Sequence, residues 1–389
     1  MKTWLLLFVV LLSGCAGTPS RPSADLAALF DDAAFPAPSG RIDATDLFTL
    51  SAPMRAHLRS PDFKKQLRDK GSARGLVAAL YSKSDLQLDY DATITRTAAQ
   101  TYAERSGNCL SLVVMTAAFA RELGMDVRFQ SVQTEETWSR NGPFYLVSSH
   151  VNISLGRRAV AQDGFAAPVD PLVIDFLPPP DAARLRTREL QEADIVALYM
   201  NNRAAEELVQ GRIADAYWWA RAAILQRPSS LEAYNTLAVI YARSGRPALA
   251  EQAYRAALQK QPDSLVVLQN LEQILSANGR LAEAQALQRR IERLHPTPPF
   301  HYFDQGMSAY RAGDFKRARA MFAREAARAP YNDEFHFWLG ITHLQLGELH
   351  TAVEELALAR ETSTRAETRD RYGAKLARLK SSVARPSGR

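Results

Sequence analysis

The sequence predicts an α+β domain followed by an all-α solenoid of stacked helical repeats. Two series of turn-forming residues predict the solenoid, because both recur every 34 residues: glycines at 211, 245, 279, 313 and 347, and prolines at 228, 262, 296 and 330. A fixed period of this length is typical of helix-turn-helix units that stack on one another. Helical periodicity followed by strand patterns predicts the α+β domain at 45–190.

The N-terminus has the pattern of an export signal. Lys2 precedes an apolar run, Trp4 to Leu12, that is too short to span a bilayer. The run ends in Leu12-Ser13-Gly14-Cys15, which resembles the lipobox of bacterial lipoproteins. The resemblance implies removal of residues 1–14, acylation of Cys15 and stable membrane anchoring. Because Ala16 and not Asp follows, it also implies the outer membrane, with the protein facing the periplasm; the alternative is a plain secretory signal.

Residues 15–44 are expected to comprise the lipidated cysteine and a flexible tether, because they are rich in Ala, Pro, Ser and Asp. A coil of about 25 residues reaches roughly 25–30 Å. Within it, Asp25 to Phe35 has the spacing of a short helix, with Asp25 as a possible N-cap. The net charge of +6 is small for 389 residues, and the basic residues are dispersed. We therefore expect no nucleic-acid partner.

The periodic half resembles the tetratricopeptide repeat. The clearest unit, Leu231 to Ser264, has that family's large, small and helix-ending residues at Tyr234, Leu237, Ala238, Tyr241, Gly245, Ala250, Tyr254, Ala257 and Pro262. We expect five units over 197–366 within a domain at 191–384, and a capping helix from Ala366 to Leu379. Arg203 and Glu207 replace apolar positions of the first unit, and Thr364 replaces the last proline. The resemblance implies binding of a protein or peptide.

Three histidines, at 336, 343 and 350, are spaced by seven. His336 and His343 occupy the repeat positions that tyrosines fill in the clearest unit, and His350 falls in the next helix. We therefore expect packing or ligand-facing roles for them and no metal site. No cofactor is predicted.

The domain at 45–190 begins with helical patterns. Pro61 to Asp69, Ala73 to Tyr81 and Thr93 to Arg105 are predicted helices. The next predicted helix begins at Cys109 and ends at Gly124, with one apolar face formed by Leu112, Met115, Phe119 and Leu123. Three strands are then predicted, at 126–132, 144–155 and 172–177.

Cys109 is the candidate nucleophile. It is one of two cysteines, and acylation of Cys15 leaves it without an intramolecular disulfide partner. A helix start favours a thiolate, because its N–H groups and dipole attract negative charge. His150 shares a strand face with Asn152 and Ser154, whereas the opposite, apolar face is expected to be the buried one. Asp175 interrupts an apolar strand, and a carboxylate there needs a partner such as His150.

The order Gly107-Asn108-Cys109, His150, Asp175 resembles the transglutaminase-like fold of the papain-like thiol enzymes. The resemblance implies that Cys109 is the nucleophile, His150 the general base and then acid, and Asp175 the residue that orients the imidazole. The aromatic residue that often follows the family histidine is missing. Asp170 is an alternative acid because proline follows it, and Asn152 is a weaker third candidate.

Two functions are compatible with this pattern. In the first, a membrane-anchored cysteine enzyme acts on amide bonds of peptides or envelope proteins, as a protease, amidase or acyl transferase. Its oxyanion would lie at the backbone N–H of Cys109, with Asn108, Gln100 and Tyr90 as candidate second donors. In the alternative, a non-catalytic periplasmic scaffold binds proteins through its repeats.

Overall fold

A four-stranded antiparallel sheet and an array of paired helices make up most of the structure, a computed structural model. It describes residues 24–81, 89–91, 93–141, 144–156, 171–176, 186–363 and 366–383. The predicted signal segment, the predicted acylation site Cys15 and the alternative acid Asp170 lie outside these residues.

The helices before the repeats agree only in part with the sequence patterns: the one predicted over 25–35 is confined to 24–27, so that Asp25 lies within it and is not its N-cap, and one at 52–59 was not predicted. Their bounds are α1 (Ala24–Ala27), α2 (Ala52–Arg59), α3 (Pro61–Lys70), α4 (Ser72–Tyr81), α5 (Ala98–Glu104) and α6 (Cys109–Glu122), with a 3-10 turn at Asp32–Ala34. Helix α5 is shorter than the prediction of 93–105, because the Thr97 side chain caps it: the hydroxyl accepts the Gln100 N–H, and the Gln100 side chain accepts the Thr97 N–H.

The first two strands, β1 (Asp89–Tyr90) and β2 (Ser106–Gly107), form a separate parallel pair. The sheet is formed by β3 (Asp126–Asn141), β4 (Phe144–Gly156), β5 (Leu172–Ile174) and β6 (Arg186–Leu190), in the order β5-β4-β3-β6. Strand β3 continues to Asn141, beyond the predicted end at 132. Strand β6 was not predicted, and β5 ends one residue before Asp175.

Helix α6 is enclosed on all sides. Every residue from Leu110 to Ala120 is buried, although the sequence predicted a single apolar face. The helix packs against α4, α5 and the strands β3 and β4. A helix that is apolar around its whole circumference is expected at the centre of a domain.

The repeats begin at α7 and form five consecutive helix pairs within the described residues 186–363. Their bounds are α7 (Glu192–Val209), α8 (Ile213–Gln226), α9 (Leu231–Arg243), α10 (Pro247–Lys260), α11 (Leu265–Ala277), α12 (Leu281–Leu294), α13 (His301–Arg311), α14 (Phe315–Arg328), α15 (Asp333–Gln345) and α16 (Leu349–Thr362). A further helix, α17 (Ala366–Val383), packs on α16. The glycines of the 34-residue series have φ between 74° and 79°, which explains their recurrence at the turns.

Residues 24–44 pack on the repeats, which differs from the flexible tether expected there. The ring of Phe35 stacks on that of Tyr217 with centroids 4.1 Å apart. The Tyr217 hydroxyl donates to Asp32 Oδ1 (2.6 Å), and the Tyr241 hydroxyl donates to the Leu29 carbonyl (2.8 Å). We call residues 24–44 the N-terminal strap; it lies against α8, α9 and α10.

One apolar cluster runs through both parts of the chain. It includes Leu29 of the strap, Phe119 of α6, Ile153 of β4 and repeat residues as far as Leu339. The two predicted domains therefore share this large cluster, and a smaller cluster of Ile341, Leu356 and Leu376 lies at the C-terminal end of the repeats. Among those residues, no helix combines the length and apolar character needed to cross a bilayer.

Candidate active site

Cys109 is the first residue of α6 and is partly exposed. Asn108 is the N-cap, and its Oδ1 accepts the Ser111 N–H at 2.9 Å. The first N–H groups of a helix have no intrahelical acceptor, so the sulfur lies at the positive end of the helix dipole. This position fits a nucleophile and an oxyanion that forms beside it.

A small hydrogen-bond network holds this helix start. Asn108 Nδ2 donates to Thr95 Oγ1 at 2.7 Å, and the Arg96 N–H donates to Ser111 Oγ at 2.8 Å. Glycine is required at position 107 because the backbone there lies close to Ser111: a Cβ on residue 107 would be 2.7 Å from the Ser111 Cβ. The Gly-Asn-Cys pattern therefore has a packing role as well as a chemical one.

His150 lies in the middle of β4, where the ladder with β3 is irregular. It pairs with Val132, and the register then shifts before Thr137 pairs with Ser148. Such bulges occur next to active sites, where they redirect a strand. The side chains of His150 and Asp175 are 11% and 14% exposed, and His150 Nε2 lies 2.7 Å from Asp175 Oδ1.

The side chain of Cys109 also interacts with the His150 ring. Because His150 Nε2 is bonded to Asp175, Nδ1 is the ring nitrogen available to the Cys109 sulfur. Burial lowers the pKa of His150, but the interactions with Asp175 and Cys109 outweigh it and raise the pKa from 6.5 to about 9. The ring therefore carries a proton at neutral pH, with Nε2–H donating to Asp175.

Asp175 directly follows β5, and its neighbour Phe176 fixes its position. The ring of Phe176 lies 5.1 Å from the ring of Tyr81 in α4. The Tyr81 hydroxyl lies 2.6 Å from Thr116 Oγ1 of α6. The strand end that carries the acid is thus tied to the helix that carries the cysteine.

Asn152 does not take the place of the acid, since Asp175 occupies Nε2 of His150. It is 4% exposed, and its Oδ1 has no hydrogen-bond partner among the described residues. Ser154 is 1% exposed, as are Val151 and Leu155 on the other face. Both faces of β4 are therefore buried, whereas the sequence predicted only the apolar one.

Among the candidate second oxyanion donors, Asn108 and Gln100 also hold the starts of helices α6 and α5. The Asn108 amide group bonds Thr95, and Gln100 forms part of the cap of α5. Tyr90 pairs with Gly107 through the backbone in the short parallel ladder. The backbone N–H of Cys109, at the start of α6, has a location that suits an oxyanion.

Of the histidines at 336, 343 and 350, the first two have close acceptors for their ring nitrogens. His336 Nδ1 lies 2.7 Å from Glu355 Oε2 and its Nε2 lies 2.9 Å from the Pro330 carbonyl, while His343 Nδ1 lies 2.5 Å from Glu348 Oε2. The His350 side chain is 91% exposed. Within the described ranges, no group of three or more His, Cys, Asp or Glu side chains is arranged to hold a metal ion.

Comparison with protein families identifies the class of the C-terminal half. Residues 231–264 and 303–366 match tetratricopeptide repeat families. The predicted helical repeats are thereby confirmed, and such repeats indicate a protein-binding or scaffold role. The comparison with curated proteins finds no match.

Solved structures of repeat proteins are also similar to this chain. A thermophilic repeat protein of Thermus thermophilus, TTC0263, is 20% identical, with 46% of this chain and 99% of that chain covered and a TM-score of 0.33. PilF of Pseudomonas aeruginosa is 20% identical, with 49% and 94% covered and a TM-score of 0.30. YrrB, described as having an unusual peptide-binding site, is 17% identical, with 46% and 92% covered and a TM-score of 0.25. Similarity at this level is not evidence that this chain shares the function of those proteins.

Proposed function

We propose that the protein is a transglutaminase-like thiol enzyme that acts on amide bonds of peptides or envelope proteins. The observation that carries the proposal is the position of His150 between two partners. Its Nε2 lies 2.7 Å from Asp175 Oδ1, and the Cys109 side chain interacts with the same ring. A nucleophile, a base and an orienting acid in this order form the arrangement used in covalent acyl transfer.

The chemistry follows from the charges in this arrangement. The imidazolium stabilises negative charge on the sulfur, which attacks the amide carbonyl carbon. As the carbon–nitrogen bond breaks, His150 gives its Nδ1 proton to the leaving amine, and a thioester to Cys109 remains. His150 then takes a proton from water or a second amine, which attacks the thioester and releases the cysteine. Water gives hydrolysis, and an amine gives cross-linking.

Anchoring belongs to the same proposal. The lipobox-like segment ending in Cys15 supports a lipoprotein of the outer membrane that faces the periplasm. Envelope proteins and peptides are the amide substrates in that compartment.

The test uses the full chain with Cys15→Ser, in which Cys109 is the remaining thiol. A peptide-based thiol electrophile at neutral pH is expected to label the folded chain at Cys109, and much more slowly in the His150→Ala variant. If the folded protein is not labelled while the denatured protein is, the enzyme proposal fails. Screening envelope peptides for cleavage or amine incorporation then identifies the reaction.

A non-catalytic scaffold is the second candidate. The observation in its favour is the length of the repeat array, because the sheet lies on α7, α9 and α11 while the repeats continue to α16. Binding of an envelope protein to a Cys109→Ala variant, together with no thiol reactivity in the parent chain, would support this role.

A further inference from the structure

A line of hydrogen bonds connects the first repeat to the start of the cysteine helix. Glu206 of α7 accepts the Thr95 N–H through Oε1 at 2.6 Å. Thr95 Oγ1 accepts from Asn108 Nδ2 at 2.7 Å, and Asn108 caps the helix that begins with Cys109. Thr95 and Asn108 are 2% and 8% exposed, so the bond between their side chains is shielded from water.

The unusual charges of the first repeat explain how a buried carboxylate is tolerated there. Arg203 donates to Glu206 at 2.8 Å and to Glu207 at 2.9 Å. Both Arg203 and Glu207 stand where apolar residues are expected in a repeat. A carboxylate that leaves water needs a cation and further donors, and here Arg203 and the Thr95 N–H provide them. Arg203 and Glu207, which replace apolar residues of the repeat pattern, therefore support the contact between α7 and the domain that carries Cys109.

A second contact holds the strand that carries the histidine. The Tyr145 N–H donates to Asn270 Oδ1 at 2.8 Å, and the Tyr145 carbonyl accepts from Asn270 Nδ2 at 2.9 Å and from Asn235 Nδ2 at 3.3 Å. Asn270 Nδ2 also donates to Asn235 Oδ1 at 2.8 Å. The asparagines, on α11 and α9, are 0% and 3% exposed. Tyr145 lies on β4, five residues before His150.

We infer that the first three repeats are a structural part of the thiol site, with Glu206 and Asn270 as positioning residues for Cys109 and His150. This inference rests on the proposed function. The cysteine lies on a helix and the histidine on a strand, and each element is contacted by a different helix of one packed array. Because the sulfur and the imidazole must stay within hydrogen-bond reach, a shift of one relative to the other lowers the reactivity of the thiol.

The test measures the rate constant for alkylation of Cys109 by iodoacetamide from pH 5 to 10, in the full chain with Cys15→Ser. We expect Glu206→Ala and Asn270→Ala each to lower this rate constant at pH 7 about ten-fold or more. Glu206→Gln should restore it, because the glutamine carbonyl still accepts the Thr95 N–H. The matched control is Glu325→Ala: Glu325 is a buried carboxylate in α14 that accepts the Tyr302 and Phe303 N–H groups. It should react at the parent rate.

Two milder variants keep the test decisive if an alanine variant does not fold. Thr95→Val removes the acceptor of Asn108 but keeps the N–H that binds Glu206, and Asn235→Ala removes the weaker donor to Tyr145. Each should lower the rate constant in protein that melts well above the assay temperature. If folded variants of both contacts react at the parent rate while His150→Ala is slow, the inference is wrong. If His150→Ala also reacts at the parent rate, the proposed function itself fails.

Discussion

Gly107 and Ser111 lie so close that a Cβ on the glycine would be 2.7 Å from the Ser111 Cβ. We expect Gly107→Ala to lower the free energy of unfolding by about 1–3 kcal/mol, because a well-packed site must shift to admit a methyl group. Urea denaturation measures this loss. Gly156→Ala is the matched control, since its nearest neighbour would be 3.5 Å away. Equal effects of the two substitutions would contradict the packing role of Gly107.

Replacing Asp175 distinguishes it from Asp170 as the orienting acid. Asp175→Asn removes the charge beside His150 Nε2, so the rate constant for alkylation of Cys109 at pH 7 should fall on the order of ten-fold or more. Asp170→Asn, made in the same chain, should react at nearly the parent rate. The assignment is wrong if Asp170→Asn loses reactivity and Asp175→Asn keeps it.

The raised pKa of His150 predicts a pH-dependent stability. A group that binds its proton more tightly when folded stabilises the folded chain fully below its unfolded pKa, near 6.5, and this contribution disappears as pH rises through the folded value of about 9. The free energy of unfolding of the parent chain minus that of His150→Ala should therefore decrease between pH 6.5 and 9, by up to about 3 kcal/mol. Denaturation curves at several pH values measure it. A difference that rises over this range would have the wrong sign.

The N-terminal strap should contribute measurably to stability. Phe35 is 7% exposed and stacks on Tyr217, so Phe35→Ala should lower the free energy of unfolding by about 3 kcal/mol. The control is Leu281→Ala, because Leu281 is 58% exposed and its truncation should cost less than about 0.5 kcal/mol. Limited proteolysis adds a second readout, because the strap should be cut faster in Phe35→Ala. Parent-like stability and cleavage in that variant would show that the strap is not bound in solution.

The sequence was most informative where local pattern determines structure. The 34-residue spacing predicted the repeats because each glycine marks a turn that needs positive φ. The start of the helix at Cys109 could be predicted because Asn108 is a strong N-cap. The alternation of polar and apolar residues along β4 predicted that His150 lies on a strand.

Long-range contacts could not be predicted in the same way. Strand β6, Arg186 to Leu190, has little apolar alternation and is held by pairing with β3, more than fifty residues earlier. The shift of register beside His150 has no local signal. Glu206 and Asn270 looked like ordinary polar residues of repeats, and the one hint was the charged pair Arg203 and Glu207 in apolar positions. The helical spacing at 25–35 did not predict the strap, because contacts with aromatic side chains of distant helices hold it in another conformation.

The docking of the strap changes how far the protein could stand from a membrane. Eight residues, 16–23, separate Cys15 from the start of α1 at Ala24. At about 3.5 Å per residue, the nine steps from Cys15 to Ala24 span at most about 30 Å. A chain acylated at Cys15 would hold its first repeats close to the lipid headgroups. Its thiol would then meet targets in a thin layer beside the bilayer, which favours membrane-attached envelope components over material that diffuses freely in the periplasm.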